Sequence, residues 1–402
     1  MQGSQILAIV VFFLMNERFD RDSELLIDGL RGIAALLVMF THSFDLAVAE
    51  TYGWSYAENP EGWRWARASI GHGGFWVWCF FMISGLCIHR SIARSIEEGS
   101  FSWWRYAVAR ITRIYPLFLI GLALAGASWM LHEEFGNGYN PTPWRQLGAS
   151  LLSLHIFTAP FPAFEPSWSL SCEMIYYAMW PTALLLSGGR VNRAAFAALI
   201  AVLMGVTGIL VLWKVFHLME HRASVDGVWT ILVLFPVWIC GAWMAGNWAS
   251  VRLAVSRRKW VAAIVLCFVS EGLLVVLKFK QYPGWAVHLA GWSSIPGLML
   301  LLTGAEHVRL SARPWAEPVC RWLGQMSYPC YILHMQLLLL LVHFMDQAAP
   351  EIVHHYPIAH AAIEFSVVLA VLIFVGPRLE RFFMAWRSRV LASTRASVLK
   401  VA

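Results

Sequence analysis

Four groups of polar side chains stand among apolar neighbours in this sequence, and each could do chemistry. Arg31 and His42 are separated by ten residues in the stretch LDGLRGIAALLVMFTHS. On a helix that interval advances ~16 Å and returns to within ~20° of the same face. Arg31 would then mark one mouth of a membrane helix, where a guanidinium suits a phosphate. His42 would sit deep in the helix, where an imidazole can take a proton from a hydroxyl. Asp45, three residues on, is near enough to orient it. The same pair also reads as an ordinary basic anchor and a packed, hydrogen-bonded core histidine, and spacing alone does not choose.

The second group is RYAVARITRIYP, in which Arg110 and Arg113 stand at i and i+3 and present neighbouring guanidinium groups. Such a fork suits a polyphosphate or an anionic head group, and it equally suits plain anchoring at a membrane surface. In the third, Trp168-Ser-Leu-Ser-Cys-Glu173, a carboxylate stands one turn into an apolar run. There it must be paired, protonated or facing water. Ser169 at i−4, with Tyr176 and Tyr177 at i+3 and i+4, could satisfy it as a purely structural knot. The fourth is GQMSYPCYILH, where Ser327, Tyr331 and His334 form one polar stripe on an otherwise apolar helix. Interhelical hydrogen bonding is the structural account of that stripe. In FFMISG, Ser84 and Gly85 permit close helix approach.

The elements that position these groups follow from composition. The 402 residues are 59% hydrophobic and only 13% charged, with a mean hydropathy of +0.60. Soluble domains carry about twice that share of charge. The chain is therefore an all-α polytopic membrane protein, which excludes a disordered chain, a disulfide scaffold and a cytosolic enzyme. Ten apolar runs are long enough to span: about 29–49, 70–89, 111–131, 168–187, 194–214, 228–247, 260–277, 286–304, 326–345 and 358–377. Residues 5–16 are too short to cross and read as an interfacial segment or an upstream start. Residues 144–158 are short, flanked by prolines, and assigned outside. With that choice most of the 30 basic residues, including Arg257, Arg258 and Lys259, fall on one side. The positive-inside rule then places both termini in the cytoplasm. The organisation expected is an N-terminal segment 1–28, a ten-helix membrane domain 29–377 and a basic tail 378–402. The net charge of +6 belongs to these loops, not to a nucleic-acid face. The outer stretches 50–69 and 132–167 hold Trp54, Tyr56, Trp63, Trp65, Tyr139 and Trp144, which suit an interfacial belt or a platform for a sugar. No H-E-x-x-H or C-x-x-C spacing occurs, so neither a metal site nor a disulfide framework is expected.

Taken in order, LDGLRGIAALLVMFTHS, FFMISG, RITRIYP, SWSLSCE and GQMSYPCYILH resemble the blocks of the acyltransferase type 3 family, integral membrane acyltransferases of about ten helices. The resemblance runs from about residue 27 to the end of the tenth helix. It implies transfer of an acetyl or other short acyl group from acyl-coenzyme A, typically acetyl-CoA, to a hydroxyl of a sugar, in an exported polysaccharide or glycolipid. It implies a multi-pass protein of the inner membrane. It carries the family's essential histidine and arginine onto His42 and Arg31, its basic donor motif onto Arg110 and Arg113, and its tryptophan–serine–glutamate block onto Trp168, Ser169 and Glu173. Asp45, Tyr331 and His334 are the supporting polar residues. No bound cofactor is implied, acyl-CoA being a donor substrate. Only about 25 residues follow the last helix, so the stand-alone form is expected. The rival from another class is a transporter or flippase for a lipid-linked sugar, which also needs membrane-embedded Arg, His and Glu. No internal repeat of the kind that marks many transporters is evident.

Overall fold

The computed structural model describes residues 19–70, 73–131, 143–216 and 223–399. Segment 5–16, Tyr139, His72, His132, His217 and His221 lie outside them. Fifteen α-helices follow in chain order among the described residues: α1 (Arg21–Tyr52), α2 (Glu61–Ser69), α3 (Gly74–Glu97), α4 (Trp103–Leu131), α5 (Pro143–Leu151), α6 (Trp168–Leu186), α7 (Val191–Phe216), α8 (Ala223–Gly246), α9 (Trp248–Leu253), α10 (Arg257–Phe279), α11 (Gly284–Gly291), α12 (Ile295–Thr303), α13 (Ala316–Ala348), α14 (Pro350–His355) and α15 (Pro357–Leu399).

Nine segments among the described residues are long and apolar enough to cross a membrane: α1, the run Glu61–Glu97, α4, α7, α8, α10, Gly284–Thr303, α13 and α15. They coincide with nine of the ten runs read from sequence. The remaining run, 168–187, is helix α6, whose 19 residues are long enough to span. Its serines, Glu173, tyrosines and tryptophans lower its hydropathy below that of the nine. The span at 284–303 is broken, α11 passing through a 3₁₀ turn at Trp292–Ser294 before α12 begins ahead of Pro296. Helix α5 has nine residues, about 13 Å of rise and far short of a bilayer.

Local chemistry sets the helix ends. The Asp20 carboxylate accepts the Ser23 N–H at 3.0 Å to cap α1 and also receives Arg252 at 2.5 Å. Gly53, at φ +88°, closes α1 by donating its N–H to the Ala49 carbonyl; a side chain would be strained there. Helices α3 and α8 approach until their backbones touch. A Cβ on Gly85 would collide with the Trp238 carbonyl, and one on Gly241 with the Met82 carbonyl. Small residues allow this approach, which membrane helices use where lipid supplies no hydrophobic drive. It bears out the close packing expected from FFMISG.

Two large apolar cores result among the described residues, beside two small clusters. One gathers α3, α6, α7 and α8 around Trp180, Trp238, Tyr176 and Phe235. The other gathers α1, α4, α13 and α15 around Met39, Phe118, Met326 and Leu372. Phe80 and Tyr177 pack against both and so mark the seam between them.

Candidate active site

At that seam lies a cavity of about 200 Å³, and its wall collects polar residues of five sequence blocks. Arg31 comes from α1, Ser84 from α3, Arg110 and Arg113 from α4, Ser169, Glu173 and Tyr177 from α6, and Ser327, Tyr328 and Tyr331 from α13. Val77, Phe80 and Phe81 supply apolar wall. Ser169, Glu173 and Tyr177 recur every four residues and thus share one helix face. Ser327 and Tyr331 do the same on α13.

The three arginines are held differently. Arg31 donates to the Ser327 hydroxyl at 3.1 Å and lies 3.8 Å from Asp28, one turn before it. Arg110 reaches Ser91 at 3.4 Å and covers the Tyr106 ring at 5.4 Å. Arg113 makes a two-point ion pair with Glu380 at 2.8 and 2.9 Å and lies 5.0 Å from the centre of the Tyr328 ring. The Arg110–Arg113 fork is therefore two separate sites, one nitrogen edge of Arg113 being already taken by a carboxylate. Glu380 belongs to the stretch 378–402, in which α15 continues as helix through Pro377. Arg387, further along α15, donates to the Ala109 carbonyl at 3.2 Å.

Glu173 accepts from the Tyr177 hydroxyl at 2.8 Å. Ser84 stands 3.3 Å from that hydroxyl and accepts the Trp238 indole N–H at 3.3 Å. The other two residues offered as partners for Glu173 are engaged elsewhere. Tyr176 donates to the Ile231 carbonyl at 2.7 Å, and Ser169 shares a 2.6 Å hydrogen bond with Tyr331. Pro181 deprives the Tyr177 carbonyl of its usual helical partner, and the Tyr106 hydroxyl fills the gap at 2.9 Å. Trp168 packs against Phe81, with ring centres 6.4 Å apart.

His42 is not part of the cavity wall. It is half-buried at the His334 end of α13's polar stripe, where its ring lies 5.2 Å from the ring of His334. His334 is fully buried, directs Nδ1 toward the Cys330 carbonyl at 3.0 Å and stands 6.2 Å from the Tyr331 ring. Three successive turns of α13 thus carry Ser327 on Arg31, Tyr331 on Ser169, and His334 beside His42. Asp45 is engaged by Arg67 of α2, which donates to both its oxygens at 2.7 and 3.2 Å. Sequence reasoning missed Tyr328 in the cavity wall, Glu380 on Arg113 and Arg67 on Asp45. Among the described residues no group of three or more His, Cys, Asp or Glu is placed to hold a metal ion.

Over 335 residues the chain is 24% identical to a Komagataeibacter xylinus protein named as a membrane-bound transacylase, BcsY, covering 80% of this chain and 74% of that one. It is 27% identical over 177 residues to protein 2 in the picA locus of Rhizobium radiobacter, covering 39% of this chain and 81% of that protein. An uncharacterised Haemophilus influenzae protein is 31% identical over 120 residues, 27% of this chain and 48% of its own length. No solved structure matches significantly. The profile described as an acyltransferase domain matches residues 25–376, a range that holds every cavity-lining residue, and the chain belongs to the acyltransferase type 3 family of membrane acyltransferases.

Proposed function

We propose that this acyltransferase moves an acetyl or other short acyl group from acyl-coenzyme A to a hydroxyl of a sugar in an exported polysaccharide or a glycolipid. The proposal puts the protein in a bacterial inner membrane, with its termini and the arginine-rich end of the bundle in the cytoplasm. The observation that carries it is the joining of three arginines and Glu173 in one cavity, with a hydroxyl-bearing stripe that leads from Arg31 to the His42–His334 pair. Coenzyme A is a polyanion on a long flexible arm. Its phosphates suit Arg110 and Arg31, the latter held by Asp28 at 3.8 Å rather than by the two-point pair that occupies Arg113. The ~16 Å between Arg31 and His42 is then the distance the arm bridges, past Tyr331, toward the sugar. The name of BcsY, a transacylase, supports acyl transfer without specifying donor or acceptor.

The step balances without a bound cofactor or metal. As the acceptor oxygen bonds to the thioester carbon, His42 takes the hydroxyl proton; the carbon–sulfur bond breaks, and the proton passes to the departing thiolate. In the covalent version His42 first receives the acyl group and then yields it to the acceptor. A ternary-complex kinetic pattern excludes the covalent version, and a ping-pong pattern supports it. Glu173 binds the acceptor or steadies the outer half of the site, Ser169 and Tyr331 line the cavity with it, and Trp168, Asp45 and His334 support the site from outside that wall.

The test uses membrane vesicles carrying wild type, His42→Ala and Arg31→Ala, supplied with radiolabelled acetyl-CoA on the cytoplasmic side. Label entering a glycan or lipid fraction with wild type, and lost with His42→Ala, is the expected result. Equal label use in all three and in empty membranes sinks the proposal and puts a transporter or flippase for a lipid-linked sugar in its place.

A further inference from the structure

Arg67 stands in a stretch of outer sequence that looks like solvated loop, yet it is 5% exposed. Its Nε and Nη2 donate to the two oxygens of Asp45, and its Nη1 donates to the Asn59 side chain at 2.8 Å. Asn59 in turn donates to the carbonyls of Tyr52, Gly53 and Ser55, each at 3.1 Å. Lys278 of α10 donates to the Arg67 carbonyl at 3.3 Å, and Trp65, two residues back, stacks on Phe279 with ring centres 3.6 Å apart. The guanidinium is therefore held by Asp45 and Asn59, and its backbone by Lys278, at the end of α1 that carries His42. A surface arginine would not bury itself for a role that simple solvation serves, because its desolvation is costly unless every donor is used.

The charged and titratable groups facing His42 are Asp45 from α1, Lys278 from α10 and His334 from α13, with Arg67 of α2 behind Asp45. Asp45 lies one helical turn from His42, close enough to pair with an imidazolium. We propose that Arg67 is a positioning residue for His42: by holding both oxygens of Asp45 it keeps that carboxylate from capturing the ring, and it sets the pH range in which the ring can accept a proton. The inference rests on the reading that His42 takes the proton in acyl transfer.

The sign follows from counting charges. With Arg67 present, the charge of Asp45 is neutralised. Arg67→Gln removes that neutralisation, so the protonated ring gains a partner and the acid limb of the pH profile moves up. Asp45→Asn/Arg67→Gln restores the original charge balance, and Arg67→Lys preserves it. Two readouts are taken on vesicles carrying these variants: the pH profile of acyl transfer, and the pH dependence of His42 modification by diethylpyrocarbonate, followed by peptide mass spectrometry. The reagent reacts with the neutral ring, so the second readout needs neither donor nor acceptor. Arg67→Gln is expected to move both limbs up by at least about one pH unit, while Arg67→Lys and the double variant stay near wild type. An unmoved limb in Arg67→Gln, or a double variant shifted as far as the single, overturns the proposal. If Arg67→Gln does not accumulate, Asp45→Asn gives the reverse test: with the carboxylate gone, the Arg67 charge is no longer offset and the limb moves down, and an unmoved limb overturns the idea. A wild type that transfers no acyl group but shows the modification shift defeats the functional reading and leaves the positioning role standing.

Discussion

The Arg113–Glu380 pair offers the sharpest quantitative test of the site. Both Glu380 oxygens receive Arg113 nitrogens, and the side chains are 9% and 23% exposed. Removing one partner of a buried pair costs about 3–5 kcal/mol, whereas an exposed pair contributes about 0–1 kcal/mol. Exposure of Arg113 places this pair below the fully buried case, so Glu380→Ala should destabilise the bundle by about 2–3 kcal/mol. Glu380→Gln keeps an oxygen for one of the two bonds and should cost about half as much. Thermal unfolding of the purified protein in detergent reads this as a melting temperature lower by about 2–4 °C for Glu380→Ala in a chain of 402 residues. Replacing both residues, as Arg113→Met/Glu380→Met, should recover most of the loss, because no charge is left buried alone. Since Glu380→Gln frees Arg113 for an anion, added coenzyme A should raise its melting temperature more than it raises that of wild type. A Glu380→Ala protein that melts within about 1 °C of wild type, or a double variant that loses the sum of the two single losses, refutes the reasoning.

Other outcomes follow from the same geometry. Gly85→Val sets a branched side chain against the Trp238 carbonyl and should abolish accumulation of folded protein in membranes, whereas Gly62→Val, in open space, should be tolerated. Tyr331→Phe takes the 2.6 Å partner from the Ser169 hydroxyl and leaves it the Pro166 carbonyl at 3.3 Å; it is expected to lower kcat about tenfold, about 1.4 kcal/mol, and unchanged kcat and KM would count against the assigned place of Tyr331 along the donor's path. Arg31→Lys keeps the charge but loses the planar fork, so it should raise the donor KM several-fold while kcat holds. For topology, a cysteine at exposed Ser100 should react with an impermeant reagent from the cytoplasmic side and one at Trp54 from the outside; the opposite pattern inverts the bundle.

Much of this was legible in the sequence because a membrane restricts the alternatives. Lipid forces backbone groups to pair within a helix, so apolar length alone located nine spans, and polar residues among apolar ones marked the cavity. Arg31, Arg110, Arg113, Ser169, Glu173 and Tyr331 were picked out that way and line one space. Periodicity also found the stripe on α13, although not what each of its residues touches. Partners far apart in the chain were hidden. Glu380 lies 267 positions from Arg113 in a stretch whose basic composition reads as a tail, and no local pattern marks one acid there as buried. Asp45 illustrates the opposite failure: helical spacing correctly puts it near His42, but says nothing of Arg67 arriving from another element. Tyr328 breaks the four-residue rhythm of Ser327 and Tyr331 and so carried no signal at all.

The length of α15 has a mechanical corollary. Its 43 residues extend ~64 Å, about twice the ~30 Å hydrocarbon layer, so a large part of this one rod stands outside the lipid. Glu380 and Arg387 fasten the protruding half to α4, next to the cavity wall. Whatever pulls on the protruding end, whether a fused tag, a neighbouring protein or a rigid support, applies torque through those two fastenings to Arg113. A reporter joined rigidly to this end would therefore transmit strain into the site it is meant to observe, and a long flexible linker would isolate the two.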